Sequence, residues 1–402
     1  MTSLFDRRQF PMLERKVHGK PLIYLDSAAT ALKPRAVIEA ISRFYAEEYG
    51  TVHRAIYAMA AGATERYNEV RAQVARFIGA SSAEQIIFTK GTTEAINLVA
   101  HSFGKAFIHA GDEVIITEME HHANIIPWQQ MCEERGAHLR IVPIDDQGCL
   151  RLDELAKLLS KSTKMVAVTH MSNVLGTINP IKAIVEMAHS LGAKVLVDGA
   201  QAAAHIPVDV EDVDFYAFSG HKLFGPTGIG ILYGKKELLD LLPPYQTGGD
   251  MIEQVTWEKT TFQAPPLKFE AGTPLIASVM GLGAALSFVE KIGMEAIEEH
   301  GKRLLKIATE QLQQVPGVRI IGTAEEKGPI ITFTMEGVHP LDAAALLDLK
   351  GIAIRSGHLC AQPLLRRFGL TSAMRVSLAP YNTREEVAFF TDALRQISLQ
   401  LV

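Results

Sequence analysis

Between Ile86 and Tyr233 the chain alternates short β-rich runs with helical stretches, and that alternation restricts the fold more than any other feature of the sequence. The β-rich runs are Gln85–Phe88, Glu113–Thr117, Leu139–Pro143, Met165–Thr169, Lys194–Val197, Phe215–Phe218 and Ile229–Tyr233. Stretches between them, such as Ile181–Leu191, carry apolar residues at helical spacing. This ordering predicts a mainly parallel sheet with helices on both faces, because a parallel connection needs a crossover long enough to hold a helix. Upstream, Tyr67, Val70, Val74 and Phe77 line one face of an amphipathic helix. From about Ser278 the pattern changes to a long helical region, then Val318–Ile321, Ile330–Phe333, a helix over Leu341–Leu349 and a closing helix from Arg384. That part reads as a smaller α+β domain, which the N-terminal segment joins.

At 402 residues the chain exceeds the size at which one core stops growing, and its 48% hydrophobic content supports well-buried cores. The net charge is −5 and no run of Lys or Arg is long enough to track phosphates, which points to a small molecule or a protein as partner and not to a nucleic acid. Cys132, Cys149 and Cys360 form an odd, sparse set with no Cys-x-x-Cys pair. Neither a disulfide framework nor a structural metal site is expected, and a reducing compartment fits. The first ten residues lack the apolar stretch of a secretory signal, and no later segment is apolar for long enough to cross a bilayer. A soluble, cytoplasmic protein with no membrane partner is the expectation.

Two residues carry the chemical reading. Lys222 lies in Ser219-Gly220-His221-Lys222, directly after the run Phe215–Phe218. An amine there can condense with an aldehyde once its surroundings leave part of it neutral near pH 7. Asp198 ends the run Lys194–Val197, with Gln201 behind it. A carboxylate at a strand's C-terminal edge can pair with a protonated pyridine nitrogen while a lysine one strand further on reaches the same ring's aldehyde, and pyridoxal 5'-phosphate makes both demands. Gly91-Thr92-Thr93-Glu94 follows a β-rich run and opens a helix, so its backbone N–H groups and the Thr92 and Thr93 hydroxyls can cradle a phosphate, with Ser219 and His221 adding donors. The structural alternative is an ordinary Thr cap. A nucleotide site fits worse: Gly225-x-x-Gly228-x-Gly230 has the wrong spacing and leads into a strand.

His121, in Glu120-His121-His122-Ala123-Asn124, is placed to lie against a cofactor ring and to trade protons near pH 7. A metal is the weaker reading, because adjacent histidines point apart and no third ligand has sensible spacing. Asn173 closes another strand, where it serves a cofactor or substrate, or simply a turn. Cys360 lies in the loop Arg355–Pro363, beside Arg355 and His358, which can raise its thiolate fraction; Cys132 and Cys149 read as small buried hydrophobes. Arg375, inside an apolar strand pattern, requires an anion if buried, either a substrate carboxylate or an internal partner.

These motifs, with Gly272-Thr273-Pro274, resemble the SUF-type (group II) cysteine desulfurases and selenocysteine lyases, in the class V aminotransferase branch of the fold-type I pyridoxal phosphate enzymes. The match runs from Leu25-Asp26-Ser27 to the last helix. It implies an α/β fold with a mainly parallel seven-stranded sheet flanked by helices, plus a smaller α+β domain. The large cofactor-binding domain would span 21–275 and the small domain 276–402, joined by segment 1–20. The resemblance implies that Lys222 binds the cofactor aldehyde, Asp198 pairs with the pyridine nitrogen, Gln201 touches the phenolic oxygen and His121 stacks on the ring. It assigns the phosphate to Thr93, Ser219 and His221, helped by Thr273 from the other subunit of a homodimer. Substrate positioning would fall to Asn173 and Arg375, with Arg54 and Arg355 as nearby basic residues, and Cys360 would take the sulfur. The substrate would be L-cysteine, or L-selenocysteine, the acceptor a SufE-type protein, and the pathway iron–sulfur cluster assembly. A same-fold aminotransferase or epimerase would leave Cys360 structural. Two positions depart from the family: Leu359 stands where many relatives have His before the cysteine, and Ala55-Ile56-Tyr57 differs after His53-Arg54.

Overall fold

In the large sheet of the computed structural model, three strands have every residue buried, β1 (Ile86–Thr89), β6 (Phe215–Ser219) and β7 (Gly230–Gly234), and β5 (Lys194–Asp198) has all but its first. Unbroken apolar runs of this kind are what a sheet covered on both faces requires. The remaining strands are β2 (Glu113–Thr117), β3 (His138–Val142) and β4 (Thr163–Thr169). The order across the seven-stranded sheet is β1-β7-β6-β5-β4-β2-β3. Strand β7 runs antiparallel to both neighbours and every other pairing is parallel. The exposed edge falls to β3, whose burial pattern is the most open of the seven. The structure describes residues 4–401; positions 1–3 and 402 of the expected small domain and its N-terminal addition lie outside the described residues.

The registers bring particular residues to one edge. Thr169 stands opposite Asp198, and Asp198 opposite Ala217, so the C-terminal ends of β4, β5 and β6 form a stepped ledge. Gly230 pairs with Ser219 on one side and Thr89 on the other. A Cβ on Gly230 would meet Gly91 Cα at 2.3 Å, so only glycine lets the loop after β1 lie down on β7.

A second sheet, wholly antiparallel, has the order β8 (Val318–Ile321), β9 (Ile330–Met335), β11 (Ala373–Ser377), β10 (Arg355–Gly357). Helices Met294–Leu312, Pro340–Asp348 and Arg384–Leu401 surround its core of Leu304, Phe333, Leu347, Met374, Phe390 and Leu394. The long helical region expected from Ser278 is two helices, Ile276–Ile292 and Met294–Leu312, bent by 73° at Gly293, whose φ of 87° only glycine adopts without strain. Ile276–Ile292 follows the expected boundary at 275/276, yet it buries Val279, Met280 and Leu282 in the core of the large sheet. The N-terminal segment touches both parts through Phe10, which packs on Phe224, Phe288 and Tyr381. Just beyond it, Ile23–Tyr24, within the expected large domain, pairs in parallel with Ile352–Ala353. Among the described residues no single helix is long and apolar enough to cross a membrane.

Candidate active site

The ledge at the ends of β4, β5 and β6 forms the floor of a cavity of about 510 Å³. Its walls come from the start of helix Thr92–Phe107, the turn after β2, the loop after β4, β10 and the Cys360 loop. The structure therefore brings together Thr92, Thr93, His121, Asn173, Asp198, Gln201, Ser219, His221, Lys222, Arg355, Cys360 and Arg375. Two expected site residues lie elsewhere in the chain. Thr273 lines a separate small cleft with Glu94, Tyr245 and Gln246. Arg54 is exposed, its guanidinium 3.3 Å from Asp250 Oδ1 and donating to the Asp250 and Ile252 carbonyls.

Lys222 ends a single 3-10 turn that follows β6 directly, so the strand positions the amine on the cavity floor. Burial pushes its pKa down to about 8; Asp198 and Cys360 pull it up and Arg375 presses it further down. Burial also raises the Asp198 carboxyl, opposed by the Ala200 N–H, which donates to Oδ1 at 2.9 Å, and by Lys222. Behind Asp198, the Tyr216 ring lies where a Cβ on Gly199 would be, 2.1 Å from the ideal position, so glycine is required between Asp198 and Ala200.

The helix start is not the Thr cap offered as the structural alternative. Gly91 is the capping residue and Thr92 the first helical one. Thr92 donates its N–H to Ser219 Oγ at 2.8 Å, and the two hydroxyls lie 2.7 Å apart, tying the β1 loop to the end of β6. His221 Nδ1 lies 3.1 Å from Thr30 Oγ1.

His121 Nδ1 accepts the Ala123 N–H at 3.0 Å, which leaves its ring proton on Nε2. Burial, reinforced by Lys222, pushes its pKa down to about 4. The ring is thus a neutral donor at pH 7, and the expectation of titration near pH 7 is corrected by the loss of water around it. Glu120, quoted in the motif but given no role there, is completely buried behind it. Its carboxyl accepts from Thr117 Oγ1 (2.6 Å), Thr169 N (2.9 Å) and Asn124 Nδ2 (2.7 Å). Trp128 Nε1, which can only donate, bonds Asn124 Oδ1 at 2.9 Å and so turns the Asn124 amide toward Glu120. A charged residue beside an apolar strand end was the available signal for this network; Thr169, which closes it, lies too far away in sequence to be read with Thr117 and Asn124.

Arg375 is 3% exposed. Its Nη2 meets Asp26 Oδ1 at 3.2 Å, its Nη1 donates to the Asn173 carbonyl at 3.0 Å, and its Nε has no partner among the described residues. The internal partner is therefore present: a carboxylate takes one edge of the guanidinium, and a buried donor is left over. Asp26 also holds Arg355, at 2.7 Å. Cys360 is exposed, and Asn173 Nδ2 donates to the Leu359 carbonyl at 2.8 Å.

The donor set fits pyridoxal phosphate. A buried carboxyl stands at a strand end for a ring nitrogen, a desolvated amine lies within its field for an aldehyde, and hydroxyls at a helix start serve a phosphate. Gln201 donates to the Ala28 carbonyl at 2.9 Å and has its buried Oε1 unpartnered, a further polar atom awaiting a ligand.

Comparison with known proteins agrees. The family described as Aminotransferase class-V matches residues 23–390. The cysteine desulfurase of Synechococcus elongatus is 53% identical over 97% of this chain, and that of Serratia proteamaculans is 52% identical over 97% of both chains. The chain spans 63%, 58% and 66% of the lengths of the first three curated relatives it matches. Among solved structures, the cysteine desulfurase of Thermococcus onnurineus NA1 superposes with a TM-score of 0.94 at 38% identity, covering 100% of both chains. That of Escherichia coli gives 0.92 at 42% identity over 98% of both. With a family match over most of its length, a fold shared throughout and a cavity suited to the cofactor, this chain belongs to the class-V aminotransferase family of fold-type I pyridoxal phosphate proteins.

Proposed function

We propose that the chain is a cysteine desulfurase, converting L-cysteine to L-alanine with transfer of the sulfur to Cys360. The observation that carries this reading is that an exposed cysteine lines the same cavity as a buried, pKa-lowered lysine, close enough for their charges to interact. An aminotransferase needs the lysine and has no use for a thiol on the cavity wall.

When bound, the cofactor supplies an electron sink that makes the substrate Cα–H and Cβ–Sγ bonds labile. Lys222 holds it and then moves the Cα proton, a task suited to an amine partly neutral near pH 7. Asp198 keeps a positive charge on the ring nitrogen. Thr92, Thr93, Ser219 and His221 take the phosphate, Gln201 the phenolic oxygen, and neutral His121 lies against the ring with its Nε2–H available. Arg375, through Nε, and Asn173 orient the substrate, with Arg355 at the rim. Cys360 thiolate attacks the substrate Sγ: a new S–S bond forms, the C–S electron pair stays on Cβ, and Cβ takes a proton. The sum of cysteine and one enzyme thiol is alanine and one enzyme persulfide, with no external oxidant.

The SUF-type assignment belongs to this proposal, as does a SufE-type protein that takes the sulfur from the exposed Cys360 for cytoplasmic iron–sulfur cluster assembly. So does a homodimer in which Thr273, outside the cavity of its own chain, reaches the partner's phosphate site, with Arg54 on the same side. So too does the two-domain division: Lys222 stands on the large domain, 21–275, and Arg375 and Cys360 on the small one, 276–402, so the cavity lies between them. The test is incubation with L-cysteine, following alanine and the mass of the Cys360 peptide. The expected result is alanine together with a reducible gain of one sulfur on Cys360, both lost in Cys360→Ala. Alanine formation undiminished in Cys360→Ala overturns the sulfur-transfer reading. L-Selenocysteine run in parallel reads the overlap with lyases, since C–Se cleavage does not need the thiol.

A further inference from the structure

Leu359 and Cys360 both have left-handed backbone, with φ of 55° and 54°. Residues with a Cβ hold that conformation only where their surroundings over-determine it. The surroundings here are Asn173, which holds the Leu359 carbonyl, and two imidazoles. Cys360 donates its N–H to His358 Nδ1 at 3.2 Å and Gln362 donates its N–H to His122 Nε2 at 3.0 Å. The His122 N–H in turn donates to the Cys360 carbonyl at 2.8 Å, and the two rings lie 5.8 Å apart. His122 therefore grips the Cys360 segment at two points, and it is the residue next to His121 on the cavity wall.

Resting on the reading of Cys360 as the sulfur acceptor, we propose that His122 and His358 are positioning residues: a pair of imidazoles that clamps the backbone of Cys360 and fixes the reach of its thiol. Each ring nitrogen facing the segment accepts a backbone N–H, so His122 carries its proton on Nδ1 and His358 on Nε2. Protonation turns an acceptor into a donor that faces another donor, and the bond is lost. The titratable groups beside this pair are the two rings themselves and His121, 6.3 Å from the His122 ring. Among the described residues neither ring is bonded to a carboxylate that would favour its charged form. Burial, and then the neighbouring His358, lower the His122 pKa, so the His122 bond of the clamp is intact at neutral pH and opens as pH falls below the ordinary histidine range. The sign follows from the neutral form being the one that holds the loop.

The experiment is amide hydrogen exchange by mass spectrometry on the full chain with its cofactor, following the peptide that contains Cys360 and Gln362 at pH 7.5 and pH 5.0, corrected for intrinsic rates. Exchange in the wild type should rise roughly fivefold at the lower pH, the factor set by one net hydrogen bond. His122→Gln, whose side-chain oxygen accepts but does not titrate, should show a clearly smaller rise, and His122→Ala should exchange fast at both. His358→Ala, which removes the acceptor of the Cys360 N–H, should speed exchange at both pH values and serves if His122→Gln does not fold. A wild type whose peptide exchanges equally at both pH values overturns the clamp, as does an unchanged rise in His122→Gln or unchanged exchange in His358→Ala. Because exchange needs no turnover, failure here leaves alanine formation intact, and failure of the desulfurase reading leaves the exchange result standing.

Discussion

Asp26 holds Arg375 from behind: its Oδ1 lies 3.2 Å from Nη2 of a guanidinium whose side chain is only 4% exposed. One edge of the arginine is thereby neutralised while Nε, buried and without a partner, faces the unfilled requirement. Asp26→Asn keeps an acceptor and removes the charge. On the proposed function, the KM for L-cysteine should rise by about tenfold, the scale of one charge-assisted hydrogen bond, with kcat changing less. Steady-state kinetics on the two variants Asp26→Asn and Arg375→Lys checks this; a change in kcat alone would speak against Arg375 as the carboxylate anchor.

Arg71 and Glu270 form a buried bidentate pair, 2.6 and 2.9 Å, with Phe88 N–H adding a third bond to Glu270 Oε1 at 2.7 Å. The Arg71 guanidinium also lies 4.5 Å from the Phe88 ring centroid. The pair ties helix Ala58–Phe77 and β1 to the segment that leads into Gly272-Thr273. Removing one partner strands a buried charge, so Glu270→Ala and Arg71→Ala should each destabilise the chain by about 3–5 kcal/mol in chemical denaturation. The double variant should cost less than the sum, since neither charge is then left alone.

Lys222 sets a pH dependence for cofactor uptake. Only the neutral amine attacks an aldehyde, and burial puts its pKa at about 8, so the reactive fraction grows as pH rises through that value. Chain stripped of cofactor should regain its chromophore about tenfold faster at pH 9 than at pH 7. The rate is read by stopped-flow absorbance, and borohydride reduction followed by peptide mapping should find the label on Lys222. Label on another lysine would remove the basis of the whole mechanism.

Gly230→Ala should disturb the phosphate end of the site without touching a reacting group. The added methyl group meets Gly91 backbone at 2.3 Å and cannot be accommodated by a side-chain rotation. A shift of the loop would carry Thr92 and Thr93 away from Ser219. The expected cost is about 1–3 kcal/mol of stability, with faster cofactor loss on dialysis. Unchanged retention of cofactor would argue against the β1 loop as a phosphate cradle.

Much of the large sheet is legible in the sequence because its strands are buried on both faces and so read as apolar runs. All seven β-rich runs became strands, with ends shifted by one or two residues. The hairpin Ile252–Val255 with Thr260–Phe262 and the strand Arg355–Gly357 carry no such run, and their pairing supplies what their composition lacks. The residues lining the cavity are legible for a different reason: amine, carboxylate, hydroxyl and thiol sit at strand ends and loops, where polar side chains stand out against apolar neighbours. Glu120, Asp26 and His122 stood in quoted motifs without a role, because Thr169, Arg375 and the Cys360 loop, which they meet, arrive from other strands and loops.

The order of β-rich and helical stretches, and the placement of Lys222, Asp198 and Cys360 at their ends, determined the fold class and the chemistry on offer, since both follow from local composition and burial. The tertiary structure decided how those groups behave. It took water from Lys222 and His121, shared Asp26 between Arg375 and Arg355, and set Cys360 between two histidines. Protonation and reach depend on desolvation and on neighbours distant in sequence, and these exist only once the chain has closed around them.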